Sequence, residues 1–173
     1  MGMEKNMKKL VSAAITAAAM ASPAASIAAT ETDTFEVLLN LRASCTIDQA
    51  TDLDFGNATE AQVTTGGITS TSTVSVTCSN GAAFDIGLSG TNGSRNMTSA
   101  AGSSVAYELY QDSGNSTDWD NTNVNSGTGD STQQDFTVYG LIPAQTPTIA
   151  AGDNIDGDTG VDLDDTVTVT VTF

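Results

Sequence analysis

The chain has 173 residues, five basic and 21 acidic, for a formal net charge of −16, and it contains no histidine. Such a polyanion does not bind nucleic acid or an anionic membrane through its net field. Without histidine, Ser-His-Asp and Cys-His catalysis are excluded, and a zinc site would need an unusual all-carboxylate set.

The first nine residues, MGMEKNMKK, carry three lysines and lead into the apolar run LVSAAITAAAMA and then SPAASIAAT. These are the charged, hydrophobic and small-residue parts of a secretory signal. The run is too short to span a bilayer. Ser26 and Ala28 satisfy a small-x-small rule, so cleavage is expected after Ala28 or one residue later, with residues 1–28 as the signal. The rest of the chain suffices for one domain with one core. It keeps Arg42 and Arg95 against the 21 acidic residues less Glu4, a formal charge of −18. It has no lysine, which removes Ser-Lys and Schiff-base chemistry as well. Paired carboxylates could still cleave glycosides, but one tryptophan, three tyrosines and five phenylalanines give little material for a sugar-stacking cleft. The expectation is no enzyme and no cofactor.

The first strand pattern is FEVLLNLRA, 35–43. Phe35, Val37, Leu39 and Leu41 form one apolar face, because side chains along a strand alternate, while Glu36, Leu38, Asn40 and Arg42 form a mostly polar one. Cys45 and Cys78 are the only cysteines. Export places them where disulfides persist, and they read as one bridge, whose loop closure stabilises the fold by about 4 kcal/mol on the chain-entropy model.

Further strands are expected at 45–47, 53–55, 68–78, 82–89, 105–112 and 135–142, all short apolar alternations between turn-formers, as in an all-β sandwich or barrel. No segment reads as helical. Residues 112–131, DSGNSTDWDNTNVNSGTGDS, are too long and polar for core and are expected to form a mobile surface excursion. In DNIDGDTGVDLDD, 153–165, six aspartates and Asn154 surround Gly157. Aligning Gly157 with the glycine of an EF-hand loop puts Gly152 and Leu163 where Asp and Glu are required, so that motif fails. A looser calcium site at Asp153, Asp156 and Asp158 is the alternative to a solvated acidic loop; otherwise no metal is expected.

The last pattern is TVTVTVTF, 166–173, with Val167, Val169, Val171 and Phe173 on one face. A terminal segment frays unless tied down, so this run is expected beside another strand. The two end patterns mirror each other. Either both belong to one self-contained sandwich, or they pair between chains.

In order along the chain, C-T-I (45–47), D-L-D-F-G (52–56), V-S-V-T-C (74–78), Y-E-L-Y (107–110), Y-G-L-I-P-A-Q (139–145) and the closing D-T-V-T-V-T-V-T-F resemble the spore coat protein U and Csu-type family, the subunits of archaic chaperone/usher pili. One departure is visible: the family's G-x-Y-x-D before the last strand reads V-D-L-D-D here, 161–165. The resemblance implies an all-β fold, an incomplete immunoglobulin-like β-sandwich completed by a donor strand from another subunit. It assigns residues 29–43 to an N-terminal donor extension and 44–173 to the pilin domain. Phe35, Val37, Leu39 and Leu41 become donor plugs. Val167, Val169, Val171 and Phe173 become the acceptor edge, which also binds a periplasmic chaperone. The implied partners are that chaperone, an outer-membrane usher and further copies in a fibre. The implied route is export through the periplasm to the cell surface, where the fibre supports adhesion and biofilm formation; as a single domain the chain resembles a shaft subunit. A coat protein of the same fold and a monomeric calcium-dependent binding module are the alternatives.

Overall fold

The computed structural model describes residues 29–90, 93–155 and 160–173. The chain divides after Leu39. Described residues before that point carry no strand, and residues 29–44 are exposed throughout. Asn40–Phe173 forms the folded unit.

Nine strands and one short helix are described: β1 Cys45–Ala50, α1 Glu60–Thr65, β2 Ile68–Cys78, β3 Ala83–Ser89, β4 Asn96–Thr98, β5 Ser104–Ala106, β6 Glu108–Tyr110, β7 Asn125–Thr128, β8 Gln133–Ile142 and β9 Thr168–Thr172. One sheet has the order β1-β2-β8-β6, a second β7-β3-β9, and β4 and β5 form a small ribbon. Every described pairing is antiparallel. The result is an open, incomplete immunoglobulin-like β-sandwich, not a barrel.

The core lies between the two larger sheets. Val74 and Val76 of β2, Val138 and Ile142 of β8 and Leu109 of β6 pack against Phe84, Ile86 and Leu88 of β3. The spacing of two on each strand is what brings these residues to one face. Ser75, between the two core valines, is also buried, and its hydroxyl donates to Asp135 at 2.7 Å. A buried polar atom is tolerated there because it has a partner. Gly140 leaves room on β8: a Cβ at that position would lie 2.8 Å from both Leu53 methyl carbons. Leu53 and Phe55 fill that space.

The sequence-based elements agree at 68–78, 82–89, 135–142 and the closing run, and differ elsewhere. The first strand pattern, 35–43, forms no strand, because no neighbouring strand pairs with it, and β4 lies where none is expected. Residues 53–55 form no strand, because Leu53 and Phe55 act as plugs packed against the core. The pattern at 105–112 is split into β5 and β6 at Tyr107. A helix exists: Thr59 Oγ1 accepts from the Gln62 N–H, and Gln62 Oε1 accepts from the Thr59 N–H, a capping box that starts α1. Val63 gives this helix a buried contact.

A last difference is the segment 112–131, expected to be a mobile excursion without core. Trp119 within it is fully buried, and its Nε1 donates to the Ile86 carbonyl at 2.8 Å. The Asp112 carboxylate accepts from the backbone N–H groups of Gly114, Ser116 and Thr117, which folds the preceding turn. Residues 125–128 then pair with β3 as β7. A single aromatic anchor and one carboxylate-organised turn hold a polar stretch that composition alone assigns to solvent.

Candidate functional site

Within the described residues, β9 pairs with β3 alone, from Asp85↔Thr172 to Ser89↔Thr168. Its other edge is hydrogen-bonded to no described strand, although part of β1 comes near it. In the facing sheet, β1 pairs with β2 alone and also presents a free edge. Between these edges the sandwich is open along one side. Backbone N–H and C=O groups on a free strand edge are a template for another strand.

The opening is apolar. Val167, Val169 and Val171 are half-buried against the core, Phe173 is 60% exposed, and Ile47 of β1 is 43% exposed. A cleft of about 450 Å³ runs inward from it, floored by Val74, Leu88, Leu109 and Val138. These floor residues are themselves only 2–5% exposed, so it is the half-buried valines of the rim, not the core, that meet solvent along this side. An unpaired, apolar strand edge of this kind marks an interaction site or an aggregation hazard.

Both rims are braced. The Cys45–Cys78 disulfide joins the start of β1 to the end of β2. A bulge lies between Ile47 and Gln49, where the Asp48 carboxylate accepts from the Thr77 and Thr46 hydroxyls at 2.6 and 3.1 Å. On the opposite rim, the Tyr107 hydroxyl donates to Asp165 at 2.7 Å, just before Val167. Burial, then the hydrogen bond to Asp165, hold the Tyr107 phenol protonated well above the ordinary tyrosine range. Arg95 lies beneath, donating to the carbonyls of Trp119 at 2.6 Å and Leu88 at 3.2 Å. Its burial lowers the guanidinium pKa, opposed by the nearby Tyr107, Asp120 and Asp165.

The sequence-predicted edge residues Val167, Val169, Val171 and Phe173 thus share one rim. Phe35, Val37, Leu39 and Leu41 are 84–87% exposed, large apolar side chains that no local secondary structure accounts for. Of the calcium candidates, Asp156 and Asp158 lie outside the described residues. Asp153 accepts from the hydroxyls of Ser99 and the buried Ser103, which lower its pKa and hold the loop after Ala150. Among the described residues no three His, Cys, Asp or Glu side chains are placed to hold a metal ion, and no helix is long and apolar enough to cross a membrane. Sequence reasoning did not find Leu53, Phe55, Tyr107 and Arg95 as parts of this site; the D-L-D-F-G and Y-E-L-Y motifs contain three of the four.

The family model of the Spore Coat Protein U domain matches residues 31–170. A search of curated proteins gives no match. Among solved structures, the chain is similar to one in the crystal structure of the CsuC–CsuE chaperone–tip adhesion subunit pre-assembly complex from archaic chaperone-usher Csu pili of Acinetobacter baumannii. The TM-score is 0.50 at 22% identity, over 76% of this chain and 40% of that one. The likeness extends to the fold, and it spans less than half of the neighbour's length.

Proposed function

Because the chain belongs to the Spore Coat Protein U domain family, we propose that it is a non-enzymatic structural subunit of a surface fibre, polymerised by donor-strand complementation. The observation that carries this reading is the free, half-buried valine edge of β9 in a chain that also holds an exposed strand-patterned segment, Phe35 to Leu41. Strand addition between chains satisfies the open backbone groups and fills the cleft together. Burying Phe35, Val37, Leu39 and Leu41 offers roughly 6 to 12 kcal/mol before ordering costs, an upper figure from transfer values. The contact joins two different surfaces head to tail, so it propagates as a filament without closing.

In this reading residues 29–43 are the donor extension and 44–173 the accepting domain. Cys45 stands directly after the extension, so its bridge to Cys78 anchors the donor's base to the folded body. Before assembly the same edge needs a temporary strand, which assigns the chain a periplasmic chaperone and an outer-membrane usher as partners and the cell surface as destination. The solved neighbour, a chaperone–tip adhesion subunit pre-assembly complex, supports that assignment. Adhesion and biofilm formation are the biology such a fibre serves. The family's description favours one further reading, a coat protein of the same fold; immunogold labelling distinguishes fibres from a coat layer.

The test is Val37→Asp with Leu39→Asp. Both changes lie outside the folded unit, so the disulfide and groove form, while charges entering an apolar cleft block assembly. Loss of surface fibres with normal levels of the folded subunit is expected. Fibres at normal abundance would refute the donor assignment.

A further inference from the structure

Resting on the donor-strand reading above, we propose that Met97 is an oxidation site of the accepting cleft. A peroxide converts its thioether to the sulfoxide before a donor strand is seated, the sulfoxide weakens donor binding, and a seated donor protects the sulfur.

Four of the five methionines, Met1, Met3, Met7 and Met20, precede residue 29, so Met97 is the only one in residues 29–173. The two cysteines are joined to each other, which leaves no thiol to react first. Trp119 is fully buried. The donor segment, residues 29–43, contains no sulfur, tryptophan or tyrosine. The accepting domain therefore carries one readily oxidised sulfur, and the donor carries none.

That sulfur belongs to the cleft. Met97 is the middle residue of β4 and pairs with the buried Val105 of β5. Asn96 and Thr98 are exposed while Met97 is half-buried, the alternation that turns its side chain inward. The Thr98 N–H donates to the Asp164 carbonyl at 2.8 Å and the Asp164 N–H to the Thr98 carbonyl at 3.2 Å, so the ribbon is fastened to the segment that leads into β9. Met97 packs against the core and lines the same cleft as Leu53, Leu163, Val167 and Val169. A half-buried thioether on a cleft wall is open to a small oxidant, and a strand laid along the cleft covers it.

The chemistry needs only a peroxide. The sulfur lone pair attacks one peroxide oxygen, and the O–O bond breaks as the S–O bond forms. The proton of the transferred oxygen passes to the departing hydroxide, which leaves as water; sulfur is oxidised by two electrons and the peroxide reduced by two. A flexible apolar side chain becomes a polar one. Its new oxygen only accepts hydrogen bonds, and the polar groups nearby do not serve it. Asp164 and Asp165, as carboxylates, are acceptors themselves. The Tyr107 hydroxyl is given to Asp165 and the Ser72 hydroxyl to the Thr51 carbonyl. Seating an apolar donor over the sulfoxide takes the S–O dipole out of water without a partner, a cost that falls on the filled cleft alone.

The test uses residues 29–173 carrying Val37→Asp and Leu39→Asp, a chain that accepts but does not donate, with a fluorescent synthetic peptide of residues 29–43. Hydrogen peroxide is expected to add one oxygen atom, mapped by mass spectrometry to Met97, and to weaken peptide binding about tenfold, with the circular dichroism spectrum unchanged. Peptide bound beforehand slows the oxidation. Met97→Leu, close in volume, binds the peptide normally and is indifferent to peroxide, and Met97→Gln, a polar stand-in for the sulfoxide, binds it weakly without any oxidant. Equal affinity before and after oxidation would overturn the inference, as would a Met97 that peroxide leaves untouched or oxidises at the same rate with the peptide seated. Loss of the fold on oxidation would also overturn it, making Met97 a stability residue. An untreated chain that binds no peptide would refute the donor-strand reading itself, and this inference with it.

Discussion

The Tyr107 hydroxyl donates to the Asp165 carboxylate across 2.7 Å, tying a ring that is 5% exposed to the residue that leads into β9. The same ring lies 6.4 Å from Phe55, centroid to centroid. This one side chain therefore connects the cleft's wall to the rim whose far edge is free.

Removing only that hydroxyl should loosen the rim without emptying the core. Tyr107→Phe is expected to cost about 1.5–3 kcal/mol, the range for a hydrogen bond to a charged group. Thermal unfolding checks the magnitude. Faster hydrogen exchange confined to the residues around Asp165 and the start of β9 checks the location, whereas a uniform change would point to general core damage.

Alkaline stability follows from the same chemistry. Asn40–Phe173 has no lysine, and both cysteines are bridged, so few groups besides tyrosine titrate near pH 10. The Tyr110 hydroxyl is bonded to Glu108, and that bond, with burial, pushes its pKa up to about 12. A raised folded-state pKa means the native form holds its proton more tightly. Stability is intact below about pH 10, the unfolded value, and falls as pH rises through the folded one. Tyr107 is displaced in the same direction, chiefly by burial. Unfolding midpoints measured from pH 8 to 12 should drop above pH 10, and a Tyr107→Phe, Tyr110→Phe variant should show a shallower drop.

Trp119 is the anchor of the 112–131 segment. Its replacement by alanine should cost roughly 3–5 kcal/mol, as for other fully buried aromatics, while the backbone carbonyl at 119 that accepts from Arg95 stays in place. Circular dichroism and denaturant titration read the loss. A change below about 1 kcal/mol would mean that the segment contributes little to the body.

These relationships mark what the sequence makes legible. The patterns at 68–78, 82–89, 135–142 and 166–173, which hold β2, β3, β8 and β9, stand out because a period of two needs only local information; the equally clear pattern at 35–43 forms no strand. The helix is legible in principle: T-x-x-Q at Thr59 to Gln62 is a capping-box signature, easily passed over because α1 has only one buried residue, Val63. Trp119 is not legible. Its neighbours are Asp, Ser, Thr and Asn, and only the distant Ile86 carbonyl explains its burial. The free edges of β1 and β9 are legible least, since a missing neighbour leaves no local trace. The alternation of Val167 to Phe173 says that one face is covered; it does not say from which chain the covering strand comes.

The central claim is that one chain's residues 35–41 occupy the next chain's groove. It is tested most directly by gel electrophoresis of material sheared from the cell surface, in SDS, with and without boiling. The account predicts a ladder of multimers that collapses on boiling to one band near the mass of the processed subunit, because strand-exchanged contacts are extensive yet non-covalent. A single monomer band in both lanes would contradict it.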